Sequence, residues 1–113
     1  GHTRSGFGYL VKASGQSIFL SSDFKLDQTS LTAPTDVARL SLMGERGEVD
    51  LLCLDSTRAT HEGFTVPEAQ VRSNLLSLAR DFPNHRLNIV VLGTSDEAIA
   101  RAGWLASQTG RFM

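Results

Sequence analysis

The run from Val49 to Leu54 constrains the fold more than any other stretch of this chain, because its side chains are almost all apolar. Its length suits a β-strand, and the lack of polar alternation predicts a strand that is covered on both faces. Segments with a helical pattern stand on both sides of it, at 35–43 and 66–82. A buried strand between helices predicts an α/β fold, a layered sheet with flanking helices.

The segment from Val66 to Phe82 has the clearest helical pattern. Thr65 and Glu68 have the spacing of a capping box, and Pro83 ends the pattern. The apolar side chains recur at the spacing of one helix face, which carries Val71, Leu75, Leu78, Ala79 and Phe82. We therefore predict an amphipathic helix over these residues.

Shorter signals predict the other elements. Thr35 and Thr94 suit helix N-caps, and Gly44 and Gly110 suit the positions just after a helix. Apolar stretches around Ala13-Ser14-Gly15 predict a β-hairpin. In chain order we expect strands at 7–12 and 16–20, a helix at 35–43, a strand at 49–54, a helix at 66–82, a strand at 89–92, a helix ending near 109, and a further strand that opens at 111–113.

Composition narrows the classes of function. The chain has 113 residues and a formal net charge of −1, so it makes one domain or less and shows no basic excess for nucleic acid. It has neither a signal peptide nor an apolar run near the roughly 18 residues that cross a bilayer, so we expect no membrane partner. The single Cys53 lies in an apolar run, is predicted to be buried, and suits the reducing cytoplasm.

His2 and Asp23 form a candidate metal pair. Each stands at one end of a predicted strand of the hairpin, so a tight turn can bring both to one edge of the sheet. Imidazole nitrogen and carboxylate oxygen are both ligands of Zn²⁺. The alternative is that the two side chains are unrelated surface residues.

Polar side chains also follow two predicted buried strands. Asp55-Ser56-Thr57 comes directly after the strand at 49–54, at the carboxyl end where open α/β sheets bind ligands. Gly93-Thr94-Ser95 precedes a helix, whose free N–H groups favour a phosphate. The alternative for both segments is local capping and turn chemistry.

The order of these motifs resembles that of the β-CASP metallo-β-lactamases, most closely the ribonuclease J group. The resemblance rests on Gly1-His2, on Asp23-Phe24-Lys25 with Asp27-Gln28-Thr29, on Asp55-Ser56-Thr57, and on Gly63-Phe64-Thr65 before a helix. It implies that residues 1–62 end a metallo-β-lactamase-type core and that 63–113 begin a β-CASP-type α/β domain.

The function that this resemblance implies is cleavage of RNA by a phosphodiesterase with two Zn²⁺ ions. Asp23 would bridge the metals, His2 would ligate one of them, and Asp55 would act as a catalytic residue that orients ligands or moves protons. The RNA or phosphate contacts would come from Thr57, Arg58, Gly93, Thr94 and Ser95, with Lys25 as a weaker candidate.

The sequence also departs from the family pattern. The family's His-x-His-x-Asp-His metal loop and its later His motifs are missing from these residues, and Ser21-Ser22 replaces the usual Thr-Gly before Asp23. Arg58 replaces an Asn, and Glu97 stands near the place of a His, where it would repel a phosphate. We therefore expect little or no metal binding and no activity by the chain alone.

Three interpretations stay open. The chain is a piece of a ribonuclease J-like enzyme, as its length favours, or a stand-alone module that binds RNA or a nucleotide without the metal centre. The third is an interaction protein that pairs with itself or with a full-length relative through open strand edges.

Overall fold

The computed structural model describes residues 6–57, 59–91 and 95–113. In these ranges the chain forms three strands and three helices, which confirms the α/β class. In chain order the elements are β1 (Tyr9–Ala13), β2 (Gln16–Leu20), α1 (Val37–Glu45), β3 (Leu51–Cys53), α2 (Glu68–Asp81) and α3 (Asp96–Thr109).

The sheet has the order β1-β2-β3 and is mixed. The predicted hairpin is confirmed: β1 and β2 pair antiparallel around Ser14 and Gly15, whose φ angles of 51° and 78° suit a two-residue turn of type I′. Strand β3 then pairs parallel to β2, with Ile18 opposite Leu51. Helix α1 is the connection between these parallel strands, so both strands end at the same edge of the sheet.

The entry to β3 is held by a short polar contact. The Asp50 carboxylate accepts hydrogen bonds from the Ser17 N–H at 2.7 Å and from the Ser17 hydroxyl at 2.9 Å. The Asp50 N–H donates back to the Ser17 carbonyl at 3.0 Å. This reciprocal pair sets the register of β3 on β2.

Helix ends differ from the sequence prediction at several residues. Asp36, not Thr35, caps α1 by accepting from the Arg39 N–H, and Gly44 lies inside that helix. The capping box of α2 is wrong, because α2 begins at Glu68 after Pro67 and that N-cap residue offers no side-chain bond. Gly110 ends α3 in the left-handed region at φ 66°, as predicted.

Two strand predictions are wrong where the structure describes them. Residues 89–91 and 111–113 are irregular, and Leu92 lies outside the described residues. Strand backbone needs a hydrogen-bonded neighbour, and an apolar run cannot show by itself that a neighbour exists.

The described helices lie apart from the sheet. The backbones of α2 and α3 approach each other closely, whereas no described helix backbone comes close to the strands. The buried apolar residues are few among the described ones: Met43, Ala79 and Leu105. The molecule is accordingly elongated, with dimensions of 63 × 27 × 25 Å.

The prediction that β3 is covered on both faces is therefore wrong for these residues. Leu51 and Leu52 point to opposite faces and are 53% and 55% exposed, and Cys53 is exposed as well. The apolar run at 49–54 has the composition of a strand that is covered on both faces. In the described part of the chain, however, no element buries the side chains of β3. No described helix is long and apolar enough to cross a membrane.

Candidate functional site

The candidate site lies at the carboxyl ends of the parallel strands β2 and β3. The Ser21 N–H donates to the Cys53 carbonyl at 2.9 Å, and the Asp55 N–H donates to the Ser21 hydroxyl at 2.8 Å. These bonds hold the segments after the two strands side by side. The structure thus brings Asp23 and Asp55-Ser56-Thr57 to one edge of the sheet, where α/β folds bind ligands.

Asp55 organises the turn that it begins. Its Oδ1 atom accepts from the Thr57 N–H at 2.8 Å, which is local turn chemistry. Asp55 is half-buried, and Thr57 is exposed. The catalytic role of Asp55 and the RNA contact of Thr57 stay predictions.

Asp23 is exposed just beyond β2. In the described ranges no side chain bonds to its carboxylate, and the Ser22 hydroxyl reaches only its backbone carbonyl, at 3.5 Å. His2 lies outside the described residues, so the predicted His2–Asp23 pair stays a prediction.

The donor set falls short of a closed metal centre. No group of three or more His, Cys, Asp or Glu side chains that could hold a metal ion exists within 6–57, 59–91 and 95–113. A closed zinc site takes about four ligands. Asp23 suits one oxygen ligand, but the described residues do not complete a Zn²⁺ site.

The predicted phosphate-binding turn is only partly described. Gly93 and Thr94 lie outside the described residues, as does Arg58. Ser95 is the N-cap of α3, and its hydroxyl accepts from the Ala98 N–H at 3.3 Å. Capping is therefore the observed role of Ser95, and phosphate binding there stays a prediction.

A second group of polar side chains lies between the segment after Asp23 and the two packed helices. We call Lys25, Asp27, Glu68 and Arg101 the charged cluster. Lys25 Nζ lies 3.1 Å from Glu68 Oε1 and 3.3 Å from Asp27 Oδ2, and Arg101 reaches Glu68 Oε2 at 2.8 Å. The Lys25 ammonium also donates to the Val66 carbonyl at 2.9 Å. The charge of Lys25 is thus paired within the molecule, and only 17% of its side chain is exposed.

Asp27 provides the cap that α2 lacks locally. Its Oδ2 atom accepts from the Glu68 N–H at 2.6 Å, and the Thr29 hydroxyl accepts from the Ala69 N–H at 3.0 Å. A carboxylate at a helix N-terminus satisfies a free N–H and interacts favourably with the helix dipole. This end of α2, where an anion would bind, is therefore already occupied by the chain's own carboxylate.

The surroundings of Asp27 stabilise its charged form. Burial alone would raise the pKa of this carboxyl, but hydrogen bonds from Thr29, from the Glu68 N–H and from Lys25 outweigh it. The net result is a pKa well below the usual range of an aspartate.

Glu97 holds the next part of the same segment. Its carboxylate accepts from the Ser30 hydroxyl at 2.7 Å, the Leu31 N–H at 2.9 Å and the Thr32 hydroxyl at 2.8 Å. Burial would raise the pKa of Glu97, but these bonds lower it overall. The sequence predicts that Glu97 would repel a phosphate. The structure shows instead a buried carboxylate that binds residues 30–32 to α3.

Sequence reasoning therefore missed Asp27, Glu68 and Glu97 as an organised group. The sequence assigned Glu68 to a capping box with Thr65 as the N-cap, whereas the observed N-cap is Pro67, two residues later. The one available signal was Pro67, because a proline directly before an acidic residue often marks a helix start. Asp27 bonds to Glu68 and Glu97 bonds to Leu31, which lie 41 and 66 residues away in sequence. No local pattern can reveal contacts over such separations.

Three curated proteins named ribonuclease J are similar to this chain. Ribonuclease J of Corynebacterium glutamicum is 40% identical over 75 residues, which are 66% of this chain and 10% of that protein. Ribonuclease J 1 of Streptococcus pyogenes is 30% identical over 112 residues, 94% of this chain and 20% of that protein. Ribonuclease J2 of Bacillus subtilis is 32% identical over 105 residues, 92% of this chain and 19% of that protein.

This chain is similar to a segment of ribonuclease J. It spans a fifth or less of the length of these curated relatives. No protein-family model matches the chain, and no solved structure matches it. The sequence resemblance to the ribonuclease J group is thus supported, and the finer assignment to a β-CASP metallo-β-lactamase is a proposal.

Proposed function

We propose that this chain is part of a ribonuclease J-like, metal-dependent RNA phosphodiesterase of the β-CASP metallo-β-lactamase group, with a role in RNA processing in the cytoplasm. The observation that carries the proposal is the similarity to two ribonuclease J proteins over more than nine-tenths of this chain, at 94% and 92%. In this proposal residues 1–62 end the metallo-β-lactamase-type core and 63–113 begin the β-CASP-type domain.

The edge where β2 and β3 end supplies the proposed active-site residues. Asp23 and His2 are ligands of Zn²⁺, and Asp55 assists catalysis. The exposure of Asp23 and its lack of a side-chain partner in the described ranges support its role as a ligand. The bond from the Asp55 N–H to Ser21 supports a shared site, because it holds the two acidic segments together.

The proposed RNA contacts come from two segments. Thr57 is exposed at the edge where β2 and β3 end, and Arg58 follows it in sequence. Gly93, Thr94 and Ser95 are proposed to bind a phosphate before α3. A Zn²⁺ ion would supply Lewis acidity and an activated water in such an enzyme. The described donors are too few to derive a reaction step through it.

We predict that the 113 residues alone bind Zn²⁺ or Mn²⁺ weakly and do not cleave RNA. The physical reason is that metal ligands and phosphate-gripping groups act as a unit, so two candidate ligands retain little of the rate acceleration. The measurement is a gel assay on labelled single-stranded RNA with added Zn²⁺ or Mn²⁺, beside titration calorimetry for metal binding. We expect no turnover above background.

The matched control for this assay is Asp23→Ala. Metal-dependent cleavage that disappears in Asp23→Ala would show that the chain is an active ribonuclease by itself. A stoichiometric metal site of nanomolar affinity would equally contradict the prediction. The same residues within a complete ribonuclease J-like protein should lose activity on Asp23→Ala, and full activity of that variant would refute the proposed function.

A second candidate is an interaction module that pairs with itself or with a full-length relative. The exposed apolar side chains on both faces of the sheet favour it, among them Tyr9, Val11, Leu51 and Leu52. Strands β1 and β3 also form open edges in the described sheet, and such edges pair readily with other chains.

This exposure predicts self-association. Burial of the sheet's apolar side chains would remove surface that is costly to leave in water, at about 25 cal/mol per Å². We expect a dimer or larger oligomer at micromolar concentration, measured by light scattering across a dilution series. Leu51→Lys should shift the series toward monomer, whereas the exposed control Arg80→Gln on α2 should not. A monomer at every concentration would contradict the prediction.

A further inference from the structure

The segment that carries Asp23 is anchored at both of its ends. On one side Ser21 bonds to β3, through the Cys53 carbonyl and the Asp55 N–H. On the other side the Lys25 carbonyl accepts from the Thr35 hydroxyl at 2.7 Å, and the Lys25 ammonium bonds to the start of α2. Only residues 22–24 lie between the two anchors.

The second anchor is a network and not a single ion pair. Glu68 binds Lys25 with one carboxylate oxygen and Arg101 of α3 with the other. Asp27 binds Lys25 while it caps the Glu68 N–H. With 7% of Asp27 and 12% of the Glu68 side chain exposed, solvent competes little with these bonds. Every buried side-chain nitrogen or oxygen in the described residues has a partner, so the network is complete.

A complete network of this kind suits positioning better than ligand binding. Its anionic and cationic groups satisfy one another, and the N-terminus of α2 is filled by Asp27. The Asp23 side chain, in contrast, is exposed and has no side-chain partner in the described ranges. The arrangement holds the backbone on both sides of one exposed carboxylate.

We infer that Lys25, Asp27 and Glu68 are positioning residues, which fix the backbone around Asp23 by tying it to the N-terminus of α2. The inference rests on the proposed function and deepens it, because it states that α2 holds Asp23, a candidate metal ligand, in position. Ligands must be held within a few tenths of an ångström to act, and supporting hydrogen bonds commonly provide that placement. Movement of α2 relative to the sheet would accordingly move Asp23.

The test measures local order in the folded chain by ¹⁵N relaxation. In the unaltered protein the amides of Ser22, Asp23 and Phe24 should have order parameters of about 0.85, the value of rigid backbone. In Glu68→Gln, which removes the charge that binds Lys25 and Arg101, they should fall below about 0.6. Glu62→Gln is the matched control, because Glu62 is exposed and stands outside the network. It should leave the order unchanged.

If Glu68→Gln lowers the stability of the protein but leaves the order parameters of residues 22–24 unchanged, the network is only structural and the inference is overturned. Low order at 22–24 in the unaltered protein would overturn it as well, whether or not the variants fold. If Glu68→Gln does not fold, Lys25→Met replaces it, since Met keeps the apolar stem and removes the ammonium.

Activity of a complete ribonuclease J-like protein separates this inference from the proposed function. If the order parameters of the chain behave as expected but Asp23→Ala leaves the complete protein fully active, the metal role of Asp23 fails and the positioning network stands.

Discussion

Asp27→Asn should lower the free energy of unfolding by about 3 kcal/mol, the largest effect we expect from a single substitution. Asp27 accepts from Thr29 with one oxygen, and from the Glu68 N–H and Lys25 with the other. The Asn amide has one oxygen and one NH₂ group. In either orientation its NH₂ meets a donor, and Lys25 loses one of its two anionic partners. Urea unfolding at pH 7, followed by circular dichroism, measures the change.

The matched control is Asp81→Asn. Asp81 is the last residue of α2, is exposed, and takes no part in the network, so its substitution should change stability by less than about 0.5 kcal/mol. A loss below about 1 kcal/mol for Asp27→Asn would mean that water satisfies these groups and that the cap is weak. An unfolded variant would agree with the expectation, because the described residues bury few apolar side chains and the folded state therefore has little stability to lose.

Acid should unfold the protein through Asp27 and Glu97. Both carboxyls have a pKa that is lower in the folded state than in an unfolded chain, where Asp and Glu side chains have pKa values of about 4. Their contribution is therefore complete above the unfolded pKa and is lost as pH falls toward the folded pKa. Each group should lower stability by about 1.4 kcal/mol per pH unit in that interval.

We thus expect a nearly constant free energy of unfolding between about pH 5 and 7 and a steep decline below about pH 4. Urea titrations at pH 7, 5, 4 and 3 measure it. Glu97→Gln should be less stable at pH 7 and less sensitive to acid, because it removes one of the two groups. An equal acid dependence in Glu97→Gln and in the unaltered protein would show that other carboxyls dominate.

Local sequence signals predicted the elements whose causes are local. The hairpin followed from apolar stretches around Ser14-Gly15, where the glycine adopts its positive φ without steric cost. The end of α3 followed from Gly110, and α2 from its apolar stripe. The resemblance to the ribonuclease J group also came from the order of short motifs, and the three similar proteins support it.

Errors arose where the cause lies elsewhere in the chain. The start of α2 was misplaced because its cap comes from Asp27 and Thr29, some forty residues upstream at |i−j| of 41 and 40. The strand at 89–92 was predicted from composition, but a strand also requires a partner, which residues 89–91 lack in the described structure. Burial of both faces of β3 was also predicted from apolar composition, although Leu51 and Leu52 are half exposed.

The sequence by itself determined the α/β class, the placement of Asp23 and Asp55 directly after strands, and the resemblance of the motifs to those of the ribonuclease J group. These properties depend on periodicity and on residue type at strand ends, which are read over a few positions. Only the tertiary structure decided that Ser21 joins the two acidic segments and that Asp27, Glu68 and Glu97 tie 25–32 to the helices. Hydrogen bonds and ion pairs depend on distance in space, and the chain brings these partners together only when the sheet and both helices have formed.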